Sequence, residues 1–153
     1  MPTAARKIDP VNVLNELLRT LYRSLPMYLA EARPWVHRSH EKLAAALTAI
    51  AGDQCMFSQR VAQAILDLGG HPSPGPFPYQ FTAIHDLAID YLLQRLIDGD
   101  RRDVAQIGRC TEDLAELPPL AALAEEIYGN ARGHLETLEQ LRKNAEFGNR
   151  NAE

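Results

Sequence analysis

The sequence predicts an all-α bundle of four long helices in a single domain that spans residues 1–153. Apolar residues recur at alternating steps of three and four along four segments, as one buried face of a helix requires. Aromatic residues make up only 7% of the chain, which suits helices that pack through leucine and alanine. A proline-rich stretch over residues 71–81 is the one long connection between the segments. A chain of 153 residues is long enough for one domain with a substantial core.

The first two predicted helices have clear boundary signals. The first runs from about residue 10 to 33, because Asp9 is a favourable cap and Pro10 suits the first helical position. Pro26 lies inside this segment, so we expect a kink there. The second helix spans about residues 36–69 and ends at the glycine pair Gly69–Gly70.

The connection that follows contains four prolines within residues 71–78 and is predicted to be extended and stiff. The third helix is predicted over about 82–114 from a cap at Thr82, and the fourth over about 118–146 from Pro118–Pro119. Because the one long connection lies between the second and third helices, we expect these two helices to run parallel.

Composition argues against several classes of function. The net charge of −4 disfavours nucleic-acid binding, which needs a basic face. No apolar run approaches the roughly 20 residues of a membrane span, and the first residues show no signal peptide. The two cysteines suggest no disulfide framework, so we expect the reducing cytoplasm as the compartment.

The second predicted helix carries Gln54 and Phe57 at the centre of its apolar seam, where a di-iron four-helix bundle places a glutamate and a histidine. The segment 53–60 (DQCMFSQR) and the segment 65–70 (ILDLGG) resemble the second helix of bacterioferritins. Residues 14–18 resemble the first helix of that family, and His134 with Leu138–Glu139 resembles the fourth. The chain therefore resembles the ferritin-like superfamily, which implies a four-helix bundle with a long crossover between the second and third helices.

The mini-ferritins are a second point of resemblance. Their second helix carries an aspartate and a glutamate four residues apart before a Leu-Gly-Gly-x-Pro stretch. Here Gln59 and Gln63 precede Leu68-Gly69-Gly70-His71-Pro72, so both carboxylates of that family are replaced by amides.

The resemblance assigns the six di-iron ligand positions of bacterioferritins to residues of this chain. In order along the four helices these positions are Leu21, Gln54, Phe57, Asp90, Ala131 and His134. Because a di-iron centre needs several carboxylates to balance two cations, one aspartate and one histidine imply a degenerate site without ferroxidase activity. The methionine that ligates haem in bacterioferritins falls on Cys55, which gives haem no support.

Two weaker metal candidates remain. Asp90 and His134 lie on facing seams in a ferritin-like bundle, where they form either a residual single-metal site or, as we favour, a buried hydrogen-bonded pair. We further expect Gln54, Asp90 and His134 to satisfy one another, directly or through water. His37, His40 and Glu41 have helical spacing that could bind a surface metal, although solvated side chains explain them more simply.

The sequence favours a ferritin-like protein without a competent ferroxidase centre, which acts as an oligomeric binding or structural module and needs no cofactor. The resemblance implies at least a dimer, because ferritin-like chains commonly pair through the face formed by the first two helices. The alternative is a bacterioferritin-like protein that binds iron or haem through altered ligands. A DNA-protecting shell is less well supported, since Arg6 and Lys7 are the only basic residues near the start of the chain.

Overall fold

The computed structural model describes residues 8–32, 41–83 and 89–151. Within these ranges the chain forms five α-helices, one short 3-10 helix and no β-strand. The helices are α1 (Pro10–Tyr22), α2 (Leu25–Ala32), α3 (Glu41–Asp67), α4 (Ile89–Asp113) and α5 (Pro118–Asn151), and the 3-10 helix spans Tyr79–Ala83.

The first predicted helix is divided into α1 and α2. Asp9 caps α1, since its Oδ1 accepts a hydrogen bond from the Val11 N–H at 3.0 Å. The helix then stops at Tyr22, because the ring of Pro26 would collide with the Tyr22 carbonyl in a continuous helix. Ser24 lies in the break, and its Oγ accepts a hydrogen bond from the Met27 N–H at 3.3 Å, as a helix cap does. The expected kink is therefore a full interruption with its own cap.

The end of α3 and the crossover follow the glycine and proline signals. Gly69 has a φ of 79°, and the N–H groups of Gly69 and Gly70 donate to the carbonyls of Leu66 and Ile65. This is the pattern of bonds that closes a helix at a glycine. The extended crossover then lies against α1, where the Asn15 side chain donates to the His71 carbonyl and accepts from the Ser73 N–H.

The third helix differs from its prediction at its start, and the fourth differs at its end. Thr82 lies in the 3-10 helix, where its hydroxyl donates to the Tyr79 carbonyl, and α4 is described only from Ile89. The fourth helix continues to Asn151, beyond the predicted limit at residue 146. The predicted helix start between residues 36 and 40 lies outside the described ranges.

Cross-helix contacts define the topology of the bundle. Antiparallel packing of α3 on α5 follows from the Arg60–Glu126 and Asp53–His134 contacts, and of α4 on α5 from the Arg101–Glu139 and Arg142–Gln94 contacts. Because both α3 and α4 are antiparallel to α5, they are parallel to each other. The helix formed by α1 and α2 packs against α3 and α4, which places α3 diagonally across from α4. The predicted parallel pair joined by the long crossover is confirmed.

The core consists of two apolar clusters stacked along the bundle axis. The first cluster comprises Val13, Leu14, Leu17, Leu18, Leu21, Phe57, Val61, Ile65, Ile107, Cys110, Leu114, Leu123, Ala124 and Ile127. The second comprises Leu25, Leu29, Leu43, Ile50, Leu92, Leu93, Leu96, Ile97 and Leu138. One half of each of the four bundle segments contributes to the first cluster and the other half contributes to the second. Polar side chains lie at the level between the two halves.

Candidate functional site

A layer of polar side chains separates the two apolar clusters at the middle of the bundle. We call it the mid-bundle layer and define it by Ser24, Asp53, Gln54, Asp100, Asp103, Asn130 and His134. Every wall of the bundle contributes to it, because the residues come from the α1–α2 break, α3, α4 and α5. This level includes Gln54 and His134, two of the predicted di-iron positions, so it is the natural candidate site.

Gln54 and Ser24 form a closed pair within this layer. The Ser24 hydroxyl donates to Oε1 of Gln54 at 2.6 Å, and the two residues are only 3% and 8% exposed, respectively. The Pro26 break places Ser24 at this level, so the same hydroxyl serves the cap of α2 and the buried amide of α3. Because its carbonyl oxygen is already occupied, Gln54 offers little to an incoming ligand.

Asp53 links α3 to α5 through two hydrogen bonds. Its Oδ2 lies 2.7 Å from Nε2 of His134 and accepts a hydrogen bond from Asn130 Nδ2 at 2.9 Å. The Asn130 hydrogen bond lowers the pKa of the Asp53 carboxyl, and His134 lowers it further against the opposing effect of burial. The carboxylate is therefore kept charged beside the imidazole, which favours a stable polar contact between the two helices.

Asp100, which is buried, and Asp103, which is half-buried, bring two carboxyl groups to the same layer from α4. Burial raises the pKa of Asp100 to about 6, against a favourable charge interaction with His134. Burial and the nearby Asp100 raise the pKa of Asp103 to about 7. Oδ2 of Asp100 is buried without a hydrogen-bond partner in the described part of the chain. Asp103 was not predicted from the sequence, although its spacing of three from Asp100 places both residues on one side of a helix.

The six predicted di-iron positions have different surroundings in the structure. Leu21 and Phe57 are 2% and 3% exposed and belong to the first apolar cluster, and Ala131 packs against that cluster. Gln54 is paired with Ser24, and His134 is paired with Asp53. The structure thus brings four side chains of the predicted set to the middle of the bundle as packing or hydrogen-bonding groups, with Ala131 beside them.

The expected pairing of His134 with Asp90 is corrected by the helix register. The described partner of His134 is Asp53, and the described partner of Gln54 is Ser24, so each of these two residues is bonded outside the predicted set. Asp90 precedes Asp100 by ten residues, about 15 Å along α4, and lies beyond the second apolar cluster. The α4 carboxyl that interacts with His134 is Asp100.

The donor set at this level does not fit a di-iron centre. Leucine, phenylalanine and alanine provide no ligand atoms at three of the six positions, and an aromatic ring fills the space at one of them. Across residues 8–32, 41–83 and 89–151, no three His, Cys, Asp or Glu side chains form a group that could hold a metal ion. Of the weaker surface candidates, His37 and His40 lie outside the described residues, and Glu41 is exposed at the start of α3.

Comparison with solved structures identifies the architecture. A ferritin-like, diiron-carboxylate protein from Bacillus anthracis strain Ames superimposes with a TM-score of 0.71 at 20% identity, over 87% of this chain and 94% of that one. The bacterioferritin of Desulfovibrio desulfuricans superimposes with a TM-score of 0.67 at 18% identity, over 88% of this chain and 78% of its own. The chain has the ferritin-like fold. This confirms the predicted fold class.

Other comparisons add no closer relative to this ferritin-like chain. The sequence matches no protein-family model and no curated protein. At 18–20% identity the two superpositions establish a common fold, and the diiron chemistry in their descriptions belongs to those proteins. None of the helices in the described part of the chain combines the length and apolar character that crossing a bilayer requires.

Proposed function

We propose that this chain is a ferritin-like bundle without ferroxidase activity that works by association, first of all with a second copy of itself. The observation that carries the proposal is that packing and hydrogen-bonding groups occupy the positions that the bacterioferritin resemblance assigns to metal ligands. Leu21 and Phe57 are buried core residues at ligand positions, and the Gln54 carbonyl already accepts the Ser24 hydroxyl. Restoring a competent centre would require several ligands at once, because isolated buried carboxyl groups take up protons instead of binding metal.

The outer face of α3 supports self-association. One stripe of exposed residues on this face, at alternating steps of three and four between residues 45 and 66, contains no charged side chain, in a chain of which 24% is charged. Met56 and Leu66 are 45% and 52% exposed on this face. Two copies could therefore meet here without charge repulsion and remove apolar area from water. This uncharged α3 face comprises Ala45, Ala49, Gly52, Met56, Gln59, Gln63 and Leu66.

The first test combines iron chemistry with metal analysis on the full chain. We expect ferrous iron to oxidise no faster than in buffer, and the purified protein to hold well under one metal ion or haem per chain. Stoichiometric metal with rapid oxidation would contradict the proposal and support the alternative, an iron- or haem-binding protein with altered ligands. Both cysteines are free thiols in the structure, which is compatible with our proposal of a reducing cytoplasm as the compartment.

The second test addresses association. We expect mass measurement in solution to give a dimer or larger assembly, and Met56→Asp combined with Leu66→Asp to shift it toward the monomer. Leu117→Asp with Tyr91→Asp is a matched control, because these residues are also exposed but lie off the α3 face. A parent chain that stays monomeric at high concentration would overturn the self-association part of the proposal and leave the iron result unaffected.

A further inference from the structure

A cavity of about 670 Å³ lies between the α1–α2 segment and α4, beneath the crossover. Its walls carry four arginines: Arg19 and Arg23 on one side, and Arg95 and Arg102 on the other. The α4 arginines are seven residues apart, which places them on the same face of the helix two turns apart. A chain with a net charge of −4 therefore concentrates positive charge at one recess.

The arginine nearest the crossover is held in place before any ligand arrives. Nε of Arg23 donates to the Gly75 carbonyl, and its guanidinium lies 4.6 Å from the Tyr22 ring centre and 4.7 Å from that of Phe77. Contacts of this kind fix a guanidinium plane and leave its outer N–H groups available. Because the side chain is already ordered, less conformational entropy is lost when an anion binds.

The two acidic residues in the cavity wall neutralise little of this charge. Asp98 is engaged elsewhere, since it accepts from Gln94 at 2.9 Å and lies 3.9 Å from Arg101. Asp103 holds its proton to near neutral pH, because burial and Asp100 raise its pKa to about 7. Within the described ranges, Arg19, Arg95 and Arg102 form no ion pair with a carboxylate. Among the described residues, four arginines thus face two carboxyl groups, Asp98 and Asp103, and the recess keeps a net positive charge.

We propose that this cavity binds a small organic anion that carries at least two phosphate or carboxylate groups. Guanidinium groups on two opposite walls match two separated anionic groups, each of which can accept paired hydrogen bonds. The remaining wall is apolar and includes Leu25, Pro78 and Phe81, which favours a ligand with a carbon framework between its charges. The volume lies within the usual range for small-molecule sites, roughly 300–1,000 Å³. The proposal does not depend on the proposed function, since the cavity opens beside the mid-bundle layer and not at the α3 face.

The test is calorimetric titration of the full chain with pyrophosphate and with citrate at equal ionic strength and neutral pH. We expect saturable binding of one anion per chain, and the tighter probe identifies phosphate or carboxylate as the preferred group. Phenyl phosphate should bind more tightly than inorganic phosphate, because Phe81 and the prolines can cover its ring. If pyrophosphate, citrate, phenyl phosphate and inorganic phosphate all fail to bind saturably, the proposal is overturned.

Paired variants separate a built site from general charge attraction. Arg95→Gln with Arg102→Gln should weaken binding at least about tenfold, since each lost guanidinium removes charge-assisted hydrogen bonds. Arg109→Gln with Arg132→Gln changes the net charge equally on exposed positions outside the cavity, and its affinity should stay within about twofold of the parent. Equal weakening in both pairs would show diffuse electrostatics and overturn the site.

A third variant should increase the affinity for the anion instead of lowering it. Asp103→Asn removes an acidic group from the cavity wall, so pyrophosphate and citrate should bind more tightly, and the gain should be larger at about pH 8 than at about pH 6. The relevant charged neighbours are Asp100 and Arg102 on α4, with Arg19 and Arg23 across the cavity. An unchanged or weaker affinity would contradict the placement of the anion against α4.

Discussion

At the scale of single residues, Asp100 and Asp103 give the mid-bundle layer its sensitivity to pH. Burial raises the pKa of both carboxyl groups, to about 6 and about 7. An unfolded chain titrates aspartate near about 3.9, so the folded chain binds these protons more tightly. The stability that this tighter proton binding contributes to the folded chain is fully present below about pH 4, and it is lost as the pH rises through about 6 to 7. His134 and Arg102 oppose the shifts but do not cancel them.

Asp100→Asn should therefore stabilise the chain selectively at alkaline pH. At about pH 8 we expect the free energy of unfolding to exceed that of the parent by on the order of 1–3 kcal/mol, because a buried charge without a hydrogen-bond partner on Oδ2 is removed. At about pH 4 the difference should nearly vanish. Urea denaturation at both pH values measures it, with Asp98→Asn as an exposed control on the same helix. A gain of equal size at both pH values would show that charge burial is not the cause.

At the scale of secondary-structure elements, α5 contains two glycines that the fold does not use within one chain. Gly129 and Gly133 are exposed, and a Cβ added to either would meet no atom within 4 Å. Glycine in a helix costs about 1 kcal/mol relative to alanine, mainly through backbone entropy. The spacing of four could suggest a close helix approach, but within the described chain no helix lies against these positions.

Gly129→Ala and Gly133→Ala should each raise the free energy of unfolding by about 0.5–1 kcal/mol, as read from chemical denaturation. Gly70→Ala is the contrasting substitution at the end of α3. Its Cβ would lie 2.7 and 2.9 Å from the two methyl carbons of Val11, so this change should lower the stability. Loss of stability or of assembly in the two α5 variants would indicate that a second chain packs closely on α5.

At the scale of the whole molecule, four walls of the bundle meet at one layer that lies between two apolar clusters. Gln54 and His134 at this level are two of the positions that the bacterioferritin resemblance assigns to metal ligands. Here Phe57 completes the first cluster, and Gln54 joins α3 to the α1–α2 break. The layer thus contributes to stability through packing and internal hydrogen bonds.

A partial reversion, Phe57→His with Gln54→Glu, should make the chain clearly less stable in metal-free buffer. Loss of the buried aromatic ring costs roughly 3 kcal/mol or more, and the new carboxyl group is buried beside Ser24 without a cation. Zinc or ferrous iron should recover part of the loss if the new groups bind it. Thermal melting with and without metal measures both effects. A melting temperature equal to that of the parent without metal would mean that this layer is open to water.

The sequence by itself determined the helical segments, the stop at Gly69–Gly70, the disruption at Pro26 and the parallel course of α3 and α4. These features depend on interactions within a few residues and on the length of one connection, so periodicity, capping residues and prolines predict them. Gln54 and Phe57 were likewise recognisable as residues of the central seam, because heptad-like spacing places them on the inner face of one helix.

Only the tertiary structure decided which residues meet across helices. His134 contacts Asp53 instead of Asp90, and Asp100 with Asp103 supplies the carboxyl groups from α4. The arginine cavity likewise joins α4 to residues near the α1–α2 break, about 75 positions away in the chain. The apolar periodicity of a helix looks nearly the same when the helix slides by whole turns along the bundle axis. It therefore defines the inner face of the helix but not its axial position relative to the other helices. That axial position is set by side-chain packing between helices, and it decides which polar groups share a site.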